Sequence, residues 1–383
     1  MASSGLKEIT SRKEGIRSVA TVQCTNCHRP YPESDTPYRC PICSGPYDYA
    51  EALFFDPTRV DNSQPGIWRY RHTFAVPDDY PALSLGEGNT PLVWASAFDR
   101  QVAFKCEFNN PTGSFKDRGT AALLGALAAR GVSQAVEDSS GNAGASFAAY
   151  ASRAGIRARV YAPESASGPK RRQIEAYGAD LVSVPGARSA ATRAVQLAAE
   201  SGLAYASHAF LPFNLPGYAT LAYEVYEAFQ GAPGAVIVPA GQGGLLLGIA
   251  RGFTALQKAG LIADIPRLVC VQAAACAPLW AMGTIGPLAL EMVSENPTVA
   301  EGVRVRFPLR GDAVVAAIKN SRGSFVAVDE DKIMAGRDEL AKRGLYVEPT
   351  SALVWQALSE TLPDLPDPVV AVLTGSGYKS PVQ

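Results

Sequence analysis

The sequence predicts an α/β protein built on mostly parallel sheets with helices on both faces. Two observations carry this. From Gln101 onward, short apolar runs of strand length alternate with Ala-rich amphipathic stretches, and several of those stretches end at a glycine followed by a new apolar run. Such alternation is what parallel strands joined by crossover helices produce. At 383 residues the chain is too long for one simple core, so two domains are expected.

Taken in order, residues 1–20 form a polar tail without the apolar stretch of a signal peptide. Residues 21–46 hold Cys24, Cys27, Cys40 and Cys43 in a C-x2-C-x12-C-x2-C pattern. Each pair can aim two thiolates at one ion, and four thiolates close a tetrahedral zinc site with no open position, so the metal's role is structural. Cys106, Cys270 and Cys276 are scattered and read as small buried apolar residues. A loose Pro- and Asp-rich stretch runs through Asp79. Gln101–Phe108, Ala158–Ala162, Ala235–Pro239, Leu268–Gln272 and Val369–Leu373 read as buried strands. Helices are expected near 115–130, 143–154, 168–177, 187–201, 218–230 and 245–259. Gly131, Gly155, Gly178 and Gly202 stand at C′ positions of such helices.

A net charge of -1 with 19% charged residues gives no basic surface for nucleic acid and no polybasic membrane anchor. The most apolar run, Val236 to Ala250, is too short to span a bilayer and contains Pro239 and four glycines. A cytoplasmic location is expected.

Ligands of parallel sheets bind where strand ends lead into helix N-termini. Four loops fall at such positions: Asn109–Lys116, Ser139–Ala143, Ala240–Gly244 and Thr374–Gly377. In the first, Ser114 and Asp117 form an S-x-x-D capping pair, so the helix is expected to begin at about Phe115. Lys116 then lies in the first turn, where the helix dipole disfavours an ammonium and favours a neutral amine able to attack an aldehyde. In Ala240-Gly241-Gln242-Gly243-Gly244 the glycines let successive N–H groups converge on a phosphate. The loop lacks both G-x-G-x-x-G and the Gly-Lys-Ser/Thr of a P-loop. Ser139-Ser140-Gly141-Asn142 offers N–H groups to a carboxylate and the Asn142 amide to a phenolate. Taken alone, the lysine loop reads better as a surface lysine tolerated by solvent, the serine loop as helix capping, and the other two as turns; their coincidence is what points to a site.

Together, N-P-T-G-S-F-K-D-R-G, S-S-G-N, G-Q-G-G and L-T-G-S-G resemble the pyridoxal-phosphate (PLP) enzymes of the tryptophan-synthase-β fold (fold type II), and among them the threonine synthases. Leu83-Ser84-Leu85-Gly86-Glu87-Gly88-Asn89-Thr90-Pro91-Leu92 and Glu348-Pro349-Thr350-Ser351-Ala352 resemble two further motifs of that family, some of whose members carry an N-terminal zinc module. The resemblance covers roughly residues 20–380. It implies a large PLP-binding domain (47–104 and 217–383), a small domain (105–216) carrying Lys116 and the Ser139–Asn142 loop, and a homodimer. It further implies that Lys116 holds the cofactor as an imine beside Phe115 and moves the substrate's α-proton. Asn142 would bind the ring hydroxyl, Gly241, Gln242, Gly243 and Gly244 the phosphate, and Thr374 the ring nitrogen. Ser139, Ser140, Gly141, Asn142 and Ala143 would face an amino-acid substrate. A neutral hydroxyl at the ring nitrogen tempers the electron sink, which suits elimination and replacement better than transamination.

The chain departs from the family where a substrate phosphate would bind. Ala143 replaces the threonine of S-x-G-N-T, and in N-P-x-R-x-E-G-x-K-T the arginine, acid and lysine fall at Asn214, Pro216 and Ala219. A lost guanidinium removes a charge-assisted contact, for which Lys170, Arg171, Arg172 or Arg188 could substitute. Two substrate readings follow: O-phosphohomoserine, giving threonine and phosphate, or another amino acid handled by a serine/threonine ammonia-lyase type of reaction. A third, an inactive scaffold carrying a zinc interaction module, is opposed by the retention of Lys116 with all three cofactor loops.

Overall fold

The buried strands form where β-branched and small apolar residues run without interruption, and helices form where that run gives way to three- and four-residue spacing. The computed structural model describes residues 21–164, 168–186 and 188–380. In chain order the elements are β1 (Val22–Cys24), β2 (Tyr47–Tyr49), β3 (Leu92–Ala97), β4 (Arg100–Lys105), α1 (Lys116–Ala128), β5 (Gln134–Glu137), α2 (Asn142–Ala154) and β6 (Arg157–Pro163). Next come α3 (Pro169–Ala176), β7 (Asp180–Val184), α4 (Arg188–Glu200), β8 (Ala204–Tyr205), α5 (Leu215–Phe229), β9 (Ala235–Pro239) and α6 (Gly244–Lys258). The last are β10 (Arg267–Ala273), α7 (Pro278–Thr284), α8 (Gly311–Asn320), β11 (Ser324–Val328), α9 (Glu330–Lys342), α10 (Pro349–Thr361) and β12 (Val369–Val372).

Two open sheets carry the chain. The six-stranded sheet has the order β11-β10-β9-β12-β4-β3, parallel throughout except for the β3–β4 pair. The four-stranded sheet, β7-β6-β5-β8, is wholly parallel. Strands β9 and β12 are buried at every position, as expected where helices cover both faces. β1 and β2 form a separate antiparallel pair. Among the described residues no helix is long and apolar enough to cross a membrane. Cys106, Cys270 and Cys276 are all buried, as the sequence suggested.

Several expectations are corrected. Ser114 and Asp117 do not cap α1: the Ser114 hydroxyl is buried without a partner, and the Asp117 carboxylate turns back to accept from the Thr112 N–H and hydroxyl, both at 2.6 Å. The helix starts at Lys116, one residue later than expected. The strand expected over Gln101–Phe108 ends at Lys105, and Glu107–Asn109 form a 3-10 turn. The stretch expected to be loose contains a 3-10 segment, Gly66–Thr73, whose Ile67, Trp68 and Tyr70 are fully buried. The Trp68 indole N–H donates to the Leu83 carbonyl at 2.9 Å, so this segment clamps the start of the L-S-L-G-E-G motif.

An ionic cluster fixes β4 to α1 and α5. The Arg118 guanidinium, fully buried, donates to both Glu107 oxygens (2.7 and 2.8 Å), both Glu224 oxygens (2.7 Å each) and the Thr220 hydroxyl (2.9 Å). Lys105 adds a 2.7 Å contact to Glu224. Burial alone would raise the Glu107 carboxyl, but Arg118 overrides it and holds the group below the usual carboxylate range.

Glu87 has no such partner. Its Oε2 accepts from the Tyr150 hydroxyl (2.7 Å), the Leu85 N–H (2.9 Å) and the Ser84 hydroxyl (3.2 Å), while Oε1 is buried and unpartnered. Burial pushes its pKa up to about 7. A folded-state pKa above the unfolded value stabilises below the unfolded value, and that stabilisation is lost as pH rises toward 7. Glu87→Gln, which mimics the protonated acid, should therefore leave stability near wild type at pH 4 and raise it by about 2–3 kcal/mol at pH 8. Urea unfolding at the two pH values checks this; an equal effect at both would refute it.

Candidate active site

Lys116 is placed by backbone pairing between two distant loops. The Phe115 N–H donates to the Thr374 carbonyl (2.9 Å), the Ser376 N–H donates to the Gly113 carbonyl (3.0 Å), and Ser114 bridges to Gly375. These contacts lay the lysine loop along the loop that ends β12. Lys116 is partly buried, with Nζ 4.9 Å from the Phe115 ring centroid. Burial lowers its pKa to about 8, with Arg188 adding to the effect and Glu137 and Glu348 opposing it. The expected depression is therefore present, and desolvation is its leading cause.

Thr374 is buried, and its hydroxyl lies 2.9 Å from that of Ser351, which also accepts from the Gly375 N–H at 2.8 Å. On the other side, β5 runs into Ser139-Ser140-Gly141 and α2 begins at Asn142. The Ser139 hydroxyl accepts from the Gly141 N–H at 3.2 Å, and Ala143 is buried in the first turn. A Cβ on Gly144 would collide with the Ser139 carbonyl, so this glycine lets the helix fold back against its own loop.

Glu348, at the N-cap of α10, joins these loops. Its Oε1 accepts from Asn142 Nδ2 (2.8 Å), its Oε2 from Lys170 (2.9 Å), and its own N–H donates to the Gly375 carbonyl (3.0 Å). A Cβ on Gly375 would collide with Glu348 Oε1. The Asn142 amide keeps a second hydrogen free, and its Oδ1 is buried without a partner.

The glycine-rich loop after β9 leads into α6, whose first turn contains no acidic residue and whose N-terminus has no side-chain cap. Its leading N–H groups and the helix dipole are left for an anion. Gly243 has φ +77°, and a Cβ there would lie 2.5 Å from Val314 Cγ2; one on Gly241 would lie 2.8 Å from the Gly302 carbonyl oxygen. Gln242 is occupied elsewhere, its Oε1 accepting from the Leu309 N–H at 3.0 Å.

The structure adds a pair that the sequence analysis missed. Glu137, at the end of β5, lies with Oε1 3.0 Å from Nδ1 of His208, which follows the neighbouring strand β8. Burial raises the Glu137 carboxyl well above its usual range and holds His208 well below its own. Glu137 Oε2 has no partner. Two consecutive acids, Glu137-Asp138, at the end of an apolar strand were the available signal. Asn214, where the family pattern has arginine, donates through Nδ2 to the His208 carbonyl at 2.7 Å. Of the cations named as phosphate substitutes, Lys170 is paired with Glu348 and Arg171 with Glu175. Arg188 is exposed at the start of α4, and its charge acts on Lys116, Glu137 and His208.

The four cysteine sulfurs lie within 4.8 Å of one another, with Cys24–Cys43 at 3.4 Å and Cys27–Cys40 at 3.6 Å. Tetrahedral zinc–sulfur bonds of about 2.3 Å require sulfurs about 3.8 Å apart, so the donor set fits a metal ion. The two C-x2-C loops are built alike. His28 and Ser44 both have φ 59°, the His28 and Ser44 N–H groups donate to the Cys24 and Cys40 carbonyls, and the Cys24 and Cys40 N–H groups donate to those of Arg29 and Gly45. The Cys43 N–H, against the opposing effect of burial, brings the Cys40 thiol down to about 6. Cys24→Ser should lower bound metal well below one equivalent and reduce Tm by at least about 5 °C. Elemental analysis with melting curves checks both, and full metal content would refute the ligand assignment.

Residues 83–375 match the family described as pyridoxal-phosphate dependent enzyme. The chain is 32% identical to the threonine synthase of Methanocaldococcus jannaschii over 379 residues, covering 94% of this chain and 93% of that protein. It is 34% identical to the threonine synthase of Mycobacterium bovis, covering 85% and 91%. Among solved structures, maize serine racemase superposes with a TM-score of 0.66 at 21% identity, covering 75% of this chain and 89% of the other. The threonine deaminase of T.th. superposes with a TM-score of 0.61 at 26% identity, covering 76% and 94%. The lysine loop, the glycine cradle and the matched span of 83–375 agree, and this chain belongs to the family of pyridoxal-phosphate dependent enzymes.

Proposed function

We propose that the protein catalyses elimination or replacement on an amino acid in the manner of a threonine synthase, taking O-phosphohomoserine to threonine and phosphate. The observation that carries this is the pairing of Phe115 with Thr374 and of Ser114 with Gly375, which brings Lys116 against the loops that fit the cofactor. Gly241, Gln242, Gly243 and Gly244 at the start of α6 would hold its phosphate. Phe115 would pack beside its ring, Thr374 would meet the ring nitrogen, and the free hydrogen of the Asn142 amide would meet the ring hydroxyl. Several residues support the fit: an orphaned Asn142 oxygen, a loop that tolerates no side chain at Gly243, and an amine whose pKa burial lowers to about 8. The cofactor, when bound, supplies the electron sink for loss of the α-proton. Lys116, with its pKa near 8, both accepts and returns that proton. Ser139, Ser140, Gly141, Asn142 and Ala143, at the start of α2, orient the substrate carboxylate through N–H groups and the helix dipole. The cysteine module would hold zinc away from this chemistry.

A second reading has its own support. Asn214 in place of arginine is committed to the His208 carbonyl, and Glu137, paired with His208, puts a buried acid near Lys116. A hydroxy amino acid, as in a serine/threonine ammonia-lyase reaction, suits that environment better than a second phosphate. Purified protein supplied with PLP should absorb at about 410–430 nm and release phosphate and threonine from O-phosphohomoserine. Inertness toward it, with ammonia released from serine or threonine, would replace the first reading by the second. A colourless protein would sink both.

A further inference from the structure

We propose that Arg310 is a positioning residue through which the cysteine module sets the shape of the cofactor site. The inference rests on the reading of Lys116 and the glycine loop as that site and of the four cysteines as a zinc site. Arg310 immediately precedes α8, and only 9% of its side chain is exposed. Its Nη2 donates to the Tyr47 carbonyl (2.7 Å) and to the Phe210 carbonyl (2.9 Å), its Nη1 donates to the Ala209 carbonyl, and its Nε lies 3.5 Å from Asp48 Oδ2. Tyr47 and Asp48 are the first two residues of β2, which begins four residues beyond the last cysteine. Ala209 and Phe210 follow His208 directly. One guanidinium therefore ties the module to the segment that carries His208, the partner of Glu137.

Two further connections lead from the same point. Asp48 is bidentate to Arg251 on α6 (2.6 and 2.8 Å), the helix whose N-terminus is the glycine cradle. Leu309, next to Arg310, donates its N–H to Gln242 within that cradle. The module also lies on the His208 segment through rings: Tyr38 packs edge-on to Phe210 at 5.1 Å, and Tyr31 packs edge-on to Phe213 at 5.1 Å. Contacts between rings constrain position loosely. A planar fork donating to three carbonyls fixes orientation, which a lysine ammonium does not. With its metal in place, the module holds Tyr47 and Asp48 in register. Without it, β1 and β2 retain only three residue pairs, too few to be stable alone, and the Arg310 clasp loses one side.

The test is a cycle between zinc and Arg310, read by titrating PLP into cofactor-free protein and by amide exchange over residues 206–214. Stripping zinc from the wild type should weaken PLP binding about 10-fold and speed that exchange. Arg310→Lys with zinc bound should show a loss of similar size, and stripping its zinc should add less than about 2-fold. Free guanidinium should restore much of the PLP affinity of Arg310→Ala, a response that general destabilisation does not give. Wild-type PLP affinity in a folded, zinc-loaded Arg310→Lys overturns the proposal, as do two losses that multiply. Should the Arg310 variants fail to fold, Asp48→Asn, which removes the carboxylate that faces both Arg310 and Arg251, is judged by the same criteria. A wild type that takes up no PLP at all defeats the cofactor-site reading, and the inference with it.

Discussion

Lys116→Ala lowers turnover by at least about 1000-fold while leaving the fold intact. Among the described residues Lys116 enters no ion pair, and it is partly buried, so truncation removes a reacting amine and little packing. Stability should hold or rise at neutral pH, since a depressed lysine pKa means that the ammonium costs the native state something there. The wild type carries a matching signature: the rate of PLP uptake by cofactor-free protein should rise with pH and level off above about 8, where the amine is neutral. Stopped-flow absorbance measures that profile. A flat profile, or a variant retaining a tenth of wild-type turnover, would remove Lys116 from its role.

Arg118→Met has the opposite character: it should cripple folding first. The guanidinium serves two carboxylates at once, and after substitution Glu107 keeps only the Thr90 hydroxyl (2.6 Å) and Asn110 amide (2.9 Å), while Glu224 keeps Lys105 at 2.7 Å. An uncompensated buried charge costs about 3–5 kcal/mol. The sign of the pH dependence follows. In the wild type, Glu107 and Glu224 titrate below their usual range, so their stabilisation is present above about pH 4.5 and is lost as pH falls below it. In the variant the orphaned acid binds a proton readily, so stability is greatest at low pH and declines as pH rises. The gap between the two proteins should be widest near pH 7 and narrow below pH 4. Denaturant unfolding over that range decides it, and a constant gap would show that the cluster is not ionic in its effect.

Legibility in the sequence followed the range of the interactions. Strands β9 and β12, buried at every position, announce themselves as uninterrupted apolar runs. β7, with its exposed Asp180 and Ser183, and the two-residue β8 do not. Helix α5 begins at Leu215, three residues before the expected start, because Pro216 is tolerated in its first turn. The 3-10 segment Gly66–Thr73 escaped because arginines and a histidine dilute the residues that are buried. The lysine and glycine loops were readable since their chemistry is local. The Glu137–His208 contact spans 71 positions and the Asn142–Glu348 contact 206, and nothing in either neighbourhood specifies its partner.

The absence of room at Gly375 has an evolutionary consequence. As long as an acid of glutamate length occupies 348 and reaches Asn142, position 375 admits hydrogen alone. The two sites are thus expected to change jointly: a homologue with a side chain at 375 must have moved, shortened or replaced the acid at 348, and with it the hold on the amide at 142.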